Sequence, residues 1–250
     1  RRICEVLELS PSVNDPEDPV RPENEEKGTV EFDHVSFAYP DAGENVLNNI
    51  TFKAKKGETI AIIGSTGCGK TTLLNLIPRF YDVTSGSITI DGIDVREMSQ
   101  EKLRSLIGYV PQKGVLFSGT IASNLKFAGD QVSDEMMKEA ADIAQAVDFI
   151  EEKEEKYNSP IAQGGTNVSG GQKQRVSIAR ALASEPAILL ADEPTGALDR
   201  ASGQEVLKLF RQLNEMGNTI VMITHDLNVA KAAQRIVKIV DGQLSPYEEC

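Results

Sequence analysis

The sequence predicts an α/β fold in which a mostly parallel sheet lies between layers of helix. Three observations carry that expectation. Continuous aliphatic runs occur at ETIAIIG (58–64), AILLA (187–191) and TIVMIT (219–224), and short runs without polar alternation mark strands covered on both faces. Helical spacing separates them, in KTTLLNLIPRF (70–80), DEMMKEAADIAQAVDFIEE (134–152), QKQRVSIARALA (172–183) and SGQEVLKLFRQLNEMG (202–217). Between the first run and its helix lies GSTGCGKTT (64–72), with three glycines, one lysine and four hydroxyl side chains. Neither a core strand nor an amphipathic helix is built that way.

The remaining elements follow in chain order. RRICEVLEL (1–9) has the apolar spacing of one or two helical turns, and SPSVNDPEDPVRPENEEKG (10–28) is rich in Pro, Asp and Glu. Such a stretch makes an exposed linker or, equally, a frayed terminus, and the folded part begins near Thr29. TVEFDHVSFAY (29–39) alternates apolar and polar residues like a half-buried strand. VLNNITFKAKKG (46–57) is a second strand, closed by Gly57. SITIDG (87–92) is a short strand with a turn signal, and RIVKIVDGQL (235–244) a closing hairpin. EEKEEK (151–156) is a solvated face. No internal repeat or low-complexity tract is present.

Composition narrows the function classes. Lys and Arg number 26 against 38 Asp and Glu, a net charge of −12. That balance is ill suited to gripping nucleic-acid phosphates, and no nucleic-acid partner is expected. The three cysteines, Cys4, Cys68 and Cys250, are too few and scattered for a disulfide framework or zinc site. They fit a reducing, cytosolic setting. The longest apolar runs fall far short of the roughly 20 residues of a membrane helix. No secretory signal is expected, because no sustained apolar stretch follows the opening RR.

GSTGCGKT fits G-x-x-x-x-G-K-[ST], with Gly64, Gly69, Lys70 and Thr71 at the fixed positions. A buried strand precedes it and a helix follows. Glycine lets the backbone wrap phosphate closely, so main-chain N–H groups of Ser65, Thr66, Gly67, Cys68 and Thr72 turn toward its oxygens. The helix N-terminus adds partial positive charge. Lys70 is expected at the β- and γ-phosphates and Thr71 on Mg²⁺. A thiol reagent on Cys68 should then block binding. AILLADEPT supplies a second half, a buried strand ending in Asp192 and Glu193. Asp192 is the candidate Mg²⁺ ligand and Glu193 the general base that activates water. These residues alone give a Mg-dependent nucleoside triphosphatase.

A third motif, NVSGGQKQR (167–175), places Ser169, Gly170, Gly171 and Gln172 before a helix, a second possible anion site. The three motifs together resemble the ATP-binding cassette family over roughly residues 29–245. That resemblance implies a P-loop NTPase core, an N-terminal antiparallel β subdomain and an inserted α-helical subdomain at about 113–183. It makes 29–250 a nucleotide-binding domain and 1–28 a linker from a membrane domain not in this chain. It implies ATP and Mg²⁺, and two cassettes, identical or not, that close head to tail around ATP. Ser169–Gln172 then cap the γ-phosphate held by the partner's loop. Tyr39 corresponds to the aromatic that stacks on adenine. Gln112 matches the glutamine touching Mg²⁺ and the attacking water. Asp199 matches the loop that crosses to the partner, and His225 the switch histidine at the γ-phosphate.

The front part is similar to exporters whose membrane domain precedes the ATPase in one polypeptide, on FAYP, FYDVTSGSITIDG, GYVPQKGVLFSGTIASNL and IAQGGTNVSGGQKQR. The back part, LADEPTGALDRASGQEVLKLF, NTIVMITHD and RIVKIVDGQL, resembles lipoprotein-releasing and macrolide-efflux ATPases. The chain therefore reads as a mosaic, natural or engineered. The exporter reading is preferred because Gln112 and the helical segment 134–183, which face the membrane domain in this family, lie in or adjoin the front part. Its expected place is the cytoplasmic face of a membrane. The alternatives are a lipoprotein-releasing or macrolide-type subunit, a soluble non-transport cassette ATPase, and a regulator that binds nucleotide without hydrolysis.

Overall fold

A computed structural model describes residues 11–20, 27–40, 42–196 and 198–246. The alternating 29–39 segment forms β1 (Val30–Phe37). Its inward residues are Val30, Phe32, Val35 and Phe37, so the alternation slips at Asp33–His34. A bulge absorbs the slip: the register with the neighbouring strand shifts between Phe32 and Val35, and His34 takes φ 49°. The second expected strand is β2 (Leu47–Ala54). The first continuous run is β3 (Thr59–Ile63), buried throughout. The phosphate-loop helix α1 is shorter than its pattern, Lys70–Leu76. β4 (Ser85–Ile90) turns into the two-residue β5 (Ile93–Asp94).

Then come α2 (Gln100–Ser105), β6 (Ile107–Val110), β7 (Gly119–Thr120) and α3 (Ile121–Leu125). The 134–152 pattern divides into α4 (Asp134–Ile143) and α5 (Val147–Glu151). Gln145 at φ 52° makes the break. Its N–H bonds the Asp142 carbonyl and that of Ala146 the Ala141 carbonyl, the paired bonds of a Schellman close. β8 (Pro160–Ile161) pairs with β7. The chain continues through α6 (Gly170–Leu182), β9 (Ile188–Asp192), α7 (Arg200–Glu215), β10 (Thr219–Thr224) and α8 (Leu227–Ala230). The expected hairpin, β11 (Arg235–Val240) and β12 (Gln243–Pro246), closes it.

Two principal sheets result. β2-β1-β4-β5 is antiparallel; the second runs β12-β11-β3-β10-β9-β6 and is parallel except for β12. The three continuous runs occupy its centre, and their alternate residues enter different cores. Ile60, Ile62, Ile188, Leu190, Val221 and Ile223 pack with α1 and the antiparallel sheet. Ala61, Ile63, Leu189, Ala191, Ile220 and Met222 pack with α3–α7. Burial on both faces removes the polar alternation that a one-sided strand shows.

Residues 11–20 form neither helix nor strand and are mostly exposed. They are nonetheless fastened: Asp15 Oδ1 accepts from the Gln100 N–H at 2.9 Å and Val20 N–H donates to Glu97 O at 2.8 Å. The helical turns expected at 1–9 lie outside the described residues.

Thr219, fully buried, joins the start of the fold to the central sheet. Its hydroxyl accepts from Gly57 N–H at 2.9 Å and donates to Gly28 O at 2.5 Å. Thr219→Val keeps the shape and strands both partners. A loss of about 1–3 kcal/mol in unfolding free energy is expected, read from the urea transition at unchanged slope.

Candidate functional site

The parallel register decides where the candidate residues go. Ile63 of β3 lies opposite Thr224 of β10, Ile223 opposite Asp192 of β9, and Ala191 opposite Val110 of β6. All four strands therefore end on one edge. From that edge emerge the 64–69 loop, His225, the Asp192–Glu193 pair and Gln112. Crevices at the carboxyl ends of such strands are where open α/β sheets bind ligands.

The loop has the shape its glycines require. A Cβ on Gly64 would sit 2.5 Å from Ile239 O, and Gly69 at φ 100° would press one to 2.8 Å from Leu47 Cδ2. Gly69 caps α1 without a side-chain hydrogen bond, so no cap side chain claims the first-turn N–H groups. Ser65, Thr66, Gly67 and Thr71 are exposed. Lys70 is only 8% exposed and turns back, its Nζ donating to Gly64 O at 2.8 Å and Ser65 O at 2.9 Å. Cys68 corrects an expectation. Its side chain belongs to the core under the loop, with Sγ packed over Gly64, so it is poorly placed for a thiol reagent. Its N–H makes a long bond to Ser65 O at 3.4 Å.

Asp192 and Glu193 are each 9% exposed. Thr71 lies beside the Asp192 carboxylate and favours its charged form. Burial nevertheless pushes the Asp192 carboxyl above its ordinary value; the Glu193 charge adds to this, while Thr71 and Lys70 oppose it. Glu193 stands at φ 45°, a sparsely populated conformation of the kind that clusters at functional sites. Its Oε2 is 2.8 Å from His225 Nδ1 and accepts from Thr224 Oγ1 and His225 N–H, each at 3.3 Å. The His225 side chain is 66% exposed. Gln112 is exposed and its Nε2 comes within 3.8 Å of where a Gly196 Cβ would be, beside the turn after Glu193.

A buried carboxylate with a hydroxyl neighbour and a raised proton affinity suits a cation. Among the described residues, no group of three His, Cys, Asp or Glu side chains gathers to hold one. A metal at Asp192 and Thr71 would therefore draw further oxygens from a substrate, as Mg²⁺ commonly does. Tyr39 sits beside the loop helix, its hydroxyl 3.0 Å from Thr72 Oγ1 and its ring edge-on to Phe37 and Tyr81, at 4.9 and 5.2 Å.

Ser169 and Gln172 form a reciprocal capping box on α6: Ser169 Oγ accepts from Gln172 N–H at 3.2 Å and Gln172 Oε1 from Ser169 N–H at 3.1 Å. Gly170 is exposed, and the neighbour nearest a Gly171 Cβ is Ser202 Oγ at 3.6 Å. Asp199 caps α7 and accepts from Ser202 Oγ at 2.7 Å, which with its Ser202 and Ala201 N–H bonds lowers its proton affinity. The structure thus gathers 169–172 with Asp199. Among the described residues it makes no hydrogen bond from either to the 64–72 loop.

Two residues of this region escaped the motif reading. Tyr109, pushed up to about 12 by burial and by Asp192, keeps its proton and donates to Asn75 Oδ1 of α1 at 3.4 Å. Gln174, 1% exposed, donates through Nε2 to Pro194 O at 3.2 Å and Pro111 O at 3.4 Å. Its signal was available: positions 174, 177, 178 and 181 form the buried face of α6, and a glutamine there needs partners.

A phosphate-type loop, a buried strand-end carboxylate pair and a histidine on the same edge define a P-loop nucleotide-binding protein. The family model described as "ABC transporter" matches residues 47–196, and the chain belongs to that family as an ABC ATPase domain. It is 41% identical over 248 residues to the "ATP-dependent lipid A-core flippase" of Desulfotalea psychrophila, covering 98% of this chain and 42% of that protein. Human "ATP-binding cassette sub-family B member 5" is 40% identical over 245 residues, covering 97% and 19%. The structure of "a bacterial Atm1-family ABC exporter with ATP bound" superposes at a TM-score of 0.88 with 35% identity, covering 98% of this chain and 42% of that one. The chain spans less than half the length of each of these relatives.

The raised proton affinity of Asp192 makes stability depend on pH. Such a group holds its proton more tightly folded than unfolded. Its ionisation costs stability as pH rises above the ordinary value, and the cost is absent below it. Asp192→Asn removes it. The urea midpoint of the unliganded variant at neutral pH should exceed the parent's, and the gap should close as pH falls below 3.8.

Proposed function

We propose that this chain binds and hydrolyses ATP between two cassettes and drives export through a membrane domain. The convergence of Lys70, Asp192–Thr71 and Glu193–His225 on one sheet edge carries the reading. Phosphate oxygens would replace the Gly64 and Ser65 carbonyls at Lys70 Nζ, with the N–H groups from Ser65 to Thr72 around them. Thr71, Gln112 and Asp192 would hold Mg²⁺, which supplies positive charge against the phosphates. Tyr39 would stack on adenine. Glu193 takes a proton from the water as its oxygen attacks the γ-phosphorus, and ADP leaves. His225, hydrogen-bonded to Glu193, orients that carboxylate and faces the γ-phosphate.

Ser169 and Gly170 are exposed, and among the described residues no hydrogen bond joins the 169–172 turn to the chain's own phosphate loop. That favours its use, with Asp199, on the nucleotide of a second copy or a related cassette. The similarity to the flippase extends over 98% of the chain, the back part included, and so favours the exporter reading over the lipoprotein-releasing one. Residues 1–28 then link to the membrane domain, and the chain works at the cytoplasmic face. An aromatic patch on the 113–183 segment suits that docking. Val115, Phe117 and Phe127 are 53%, 47% and 59% exposed, Phe117 and Phe127 stack at 4.5 Å, and Arg180 lies over both rings.

Two measurements test this. Glu193→Gln should slow phosphate release about 10²–10⁴-fold while ATP still binds and ATP-dependent pairs accumulate; unchanged turnover would remove Glu193 from the role. Phe127→Asp in the membrane-bound assembly should abolish ATP-driven transport, while the separate chain keeps its hydrolysis rate within about twofold. Normal transport in that variant would place the docking surface elsewhere.

A further inference from the structure

Gln174, on the helix behind the 169–172 turn, touches both loops of the hydrolytic site. Its amide is 1% exposed and reaches two carbonyls, Pro194 O at 3.2 Å and Pro111 O at the longer 3.4 Å. Pro194 follows Glu193, and Pro111 precedes Gln112. Both partners are prolines, which have no N–H to offer, and both present acceptors. The side chain must therefore turn its NH₂ toward them.

Independent contacts show that the segment after Gln112 is seated on α6. A Cβ on Gly114 would lie 2.7 Å from the Lys173 carbonyl and 2.8 Å from Gln174 N, so only glycine lets loop and helix backbones approach this closely. Val115 O accepts from Arg180 Nη1 at 3.0 Å. Further on, Asn124, packed within the same core, pairs with the Phe117 N–H and carbonyl at 2.8 and 2.9 Å. Residues 114–117 thus ride with the helical segment, whereas Pro194 belongs to the turn leaving β9. The Gln174 amide bridges the two.

We infer that Gln174 is a positioning residue: it transmits displacement of α6 and the Gln112 segment to the turn that aims Glu193. This rests on the hydrolytic role proposed above for Glu193. The physical case is the cost of a buried amide left unpaired. When α6 shifts against the sheet, the Gln174 NH₂ either carries the Pro194 carbonyl along or loses a partner in a water-poor interior. Glu193 is already held at φ 45°, so a small displacement of the next residue changes where its carboxylate points.

The test uses the full chain. Gln174→Met keeps length and removes both donors. Its kcat should fall about tenfold, the scale expected for a coupling residue that touches no ligand, while KM and ATP affinity stay within about twofold. The loss should vanish in a Glu193→Gln background, because there is no longer a base to aim. A purely structural role would instead lower the number of nucleotide-binding sites and leave kcat per site unchanged. Should Gln174→Met fail to fold, Gln174→Glu decides. Its carboxyl donates only when protonated, so kcat relative to the parent should fall as pH rises from about 6 to about 9. Parental kcat at every pH in the variant that folds, with Glu193→Gln still inactive, overturns the inference and leaves the hydrolytic reading standing. Hydrolysis that survives Glu193→Gln overturns both.

Discussion

The site depends on one constraint: β3, β10, β9 and β6 run parallel and in register, so their chains leave the sheet at one edge. Parallel strands need cover on both faces. Here the cover comes from two different cores, α1 with the antiparallel sheet on one side and α3–α7 on the other. Moving any of these strands by one residue would exchange its core residues between the two. Register is therefore strongly specified by packing, far from the chemistry. It is register that brings Glu193 to Thr224 and His225, from strands 31 or more residues apart in sequence.

That edge concentrates groups which are uncomfortable alone. Lys70 is buried against two carbonyls, Asp192 is buried with a raised proton affinity, and Glu193 holds a left-handed backbone. On the reading proposed above, a ligand would supply complementary charge to Lys70 and to Asp192. Phosphate oxygens suit Lys70 and the open N–H groups; a cation suits Asp192. The sheet tolerates the strain because its two cores are extensive, the usual relation between a stable scaffold and a poised site.

Much of this was legible because the motifs state backbone and charge requirements directly. The glycine loop, the two carboxylates and the histidine are each fixed by a neighbouring continuous apolar run, and a run buried on both faces announces itself. What was missed had weaker signals. β6 is four residues, IGYV, with a glycine, and is too short to show a period. Gly108 is there because α6 packs on it, a Cβ lying 2.6 Å from Ala181 O, a tertiary fact with no local trace. The break at Gln145 lacks the glycine that usually marks a helix end. The inward turn of Cys68 is set by Gly64 and Ile239, one of them 171 residues away. Gln174 was visible as a polar residue on an apolar face, though nothing local names the two carbonyls it serves.

The 169–172 turn shows why one chain carries a second phosphate-type feature. Its capping box satisfies two donors from within, which makes the turn rigid without any ligand. Among the described residues, the cap leaves other first-turn N–H groups and the Ser169 hydroxyl proton without an acceptor. The glycines at 170 and 171 keep this end of α6 free of side chains, so a large anion can come close. On the reading proposed above, a second cassette would bring the phosphate that this bare helix end suits, and α6, seated on the Gln112 segment, would move with it as the pair closes.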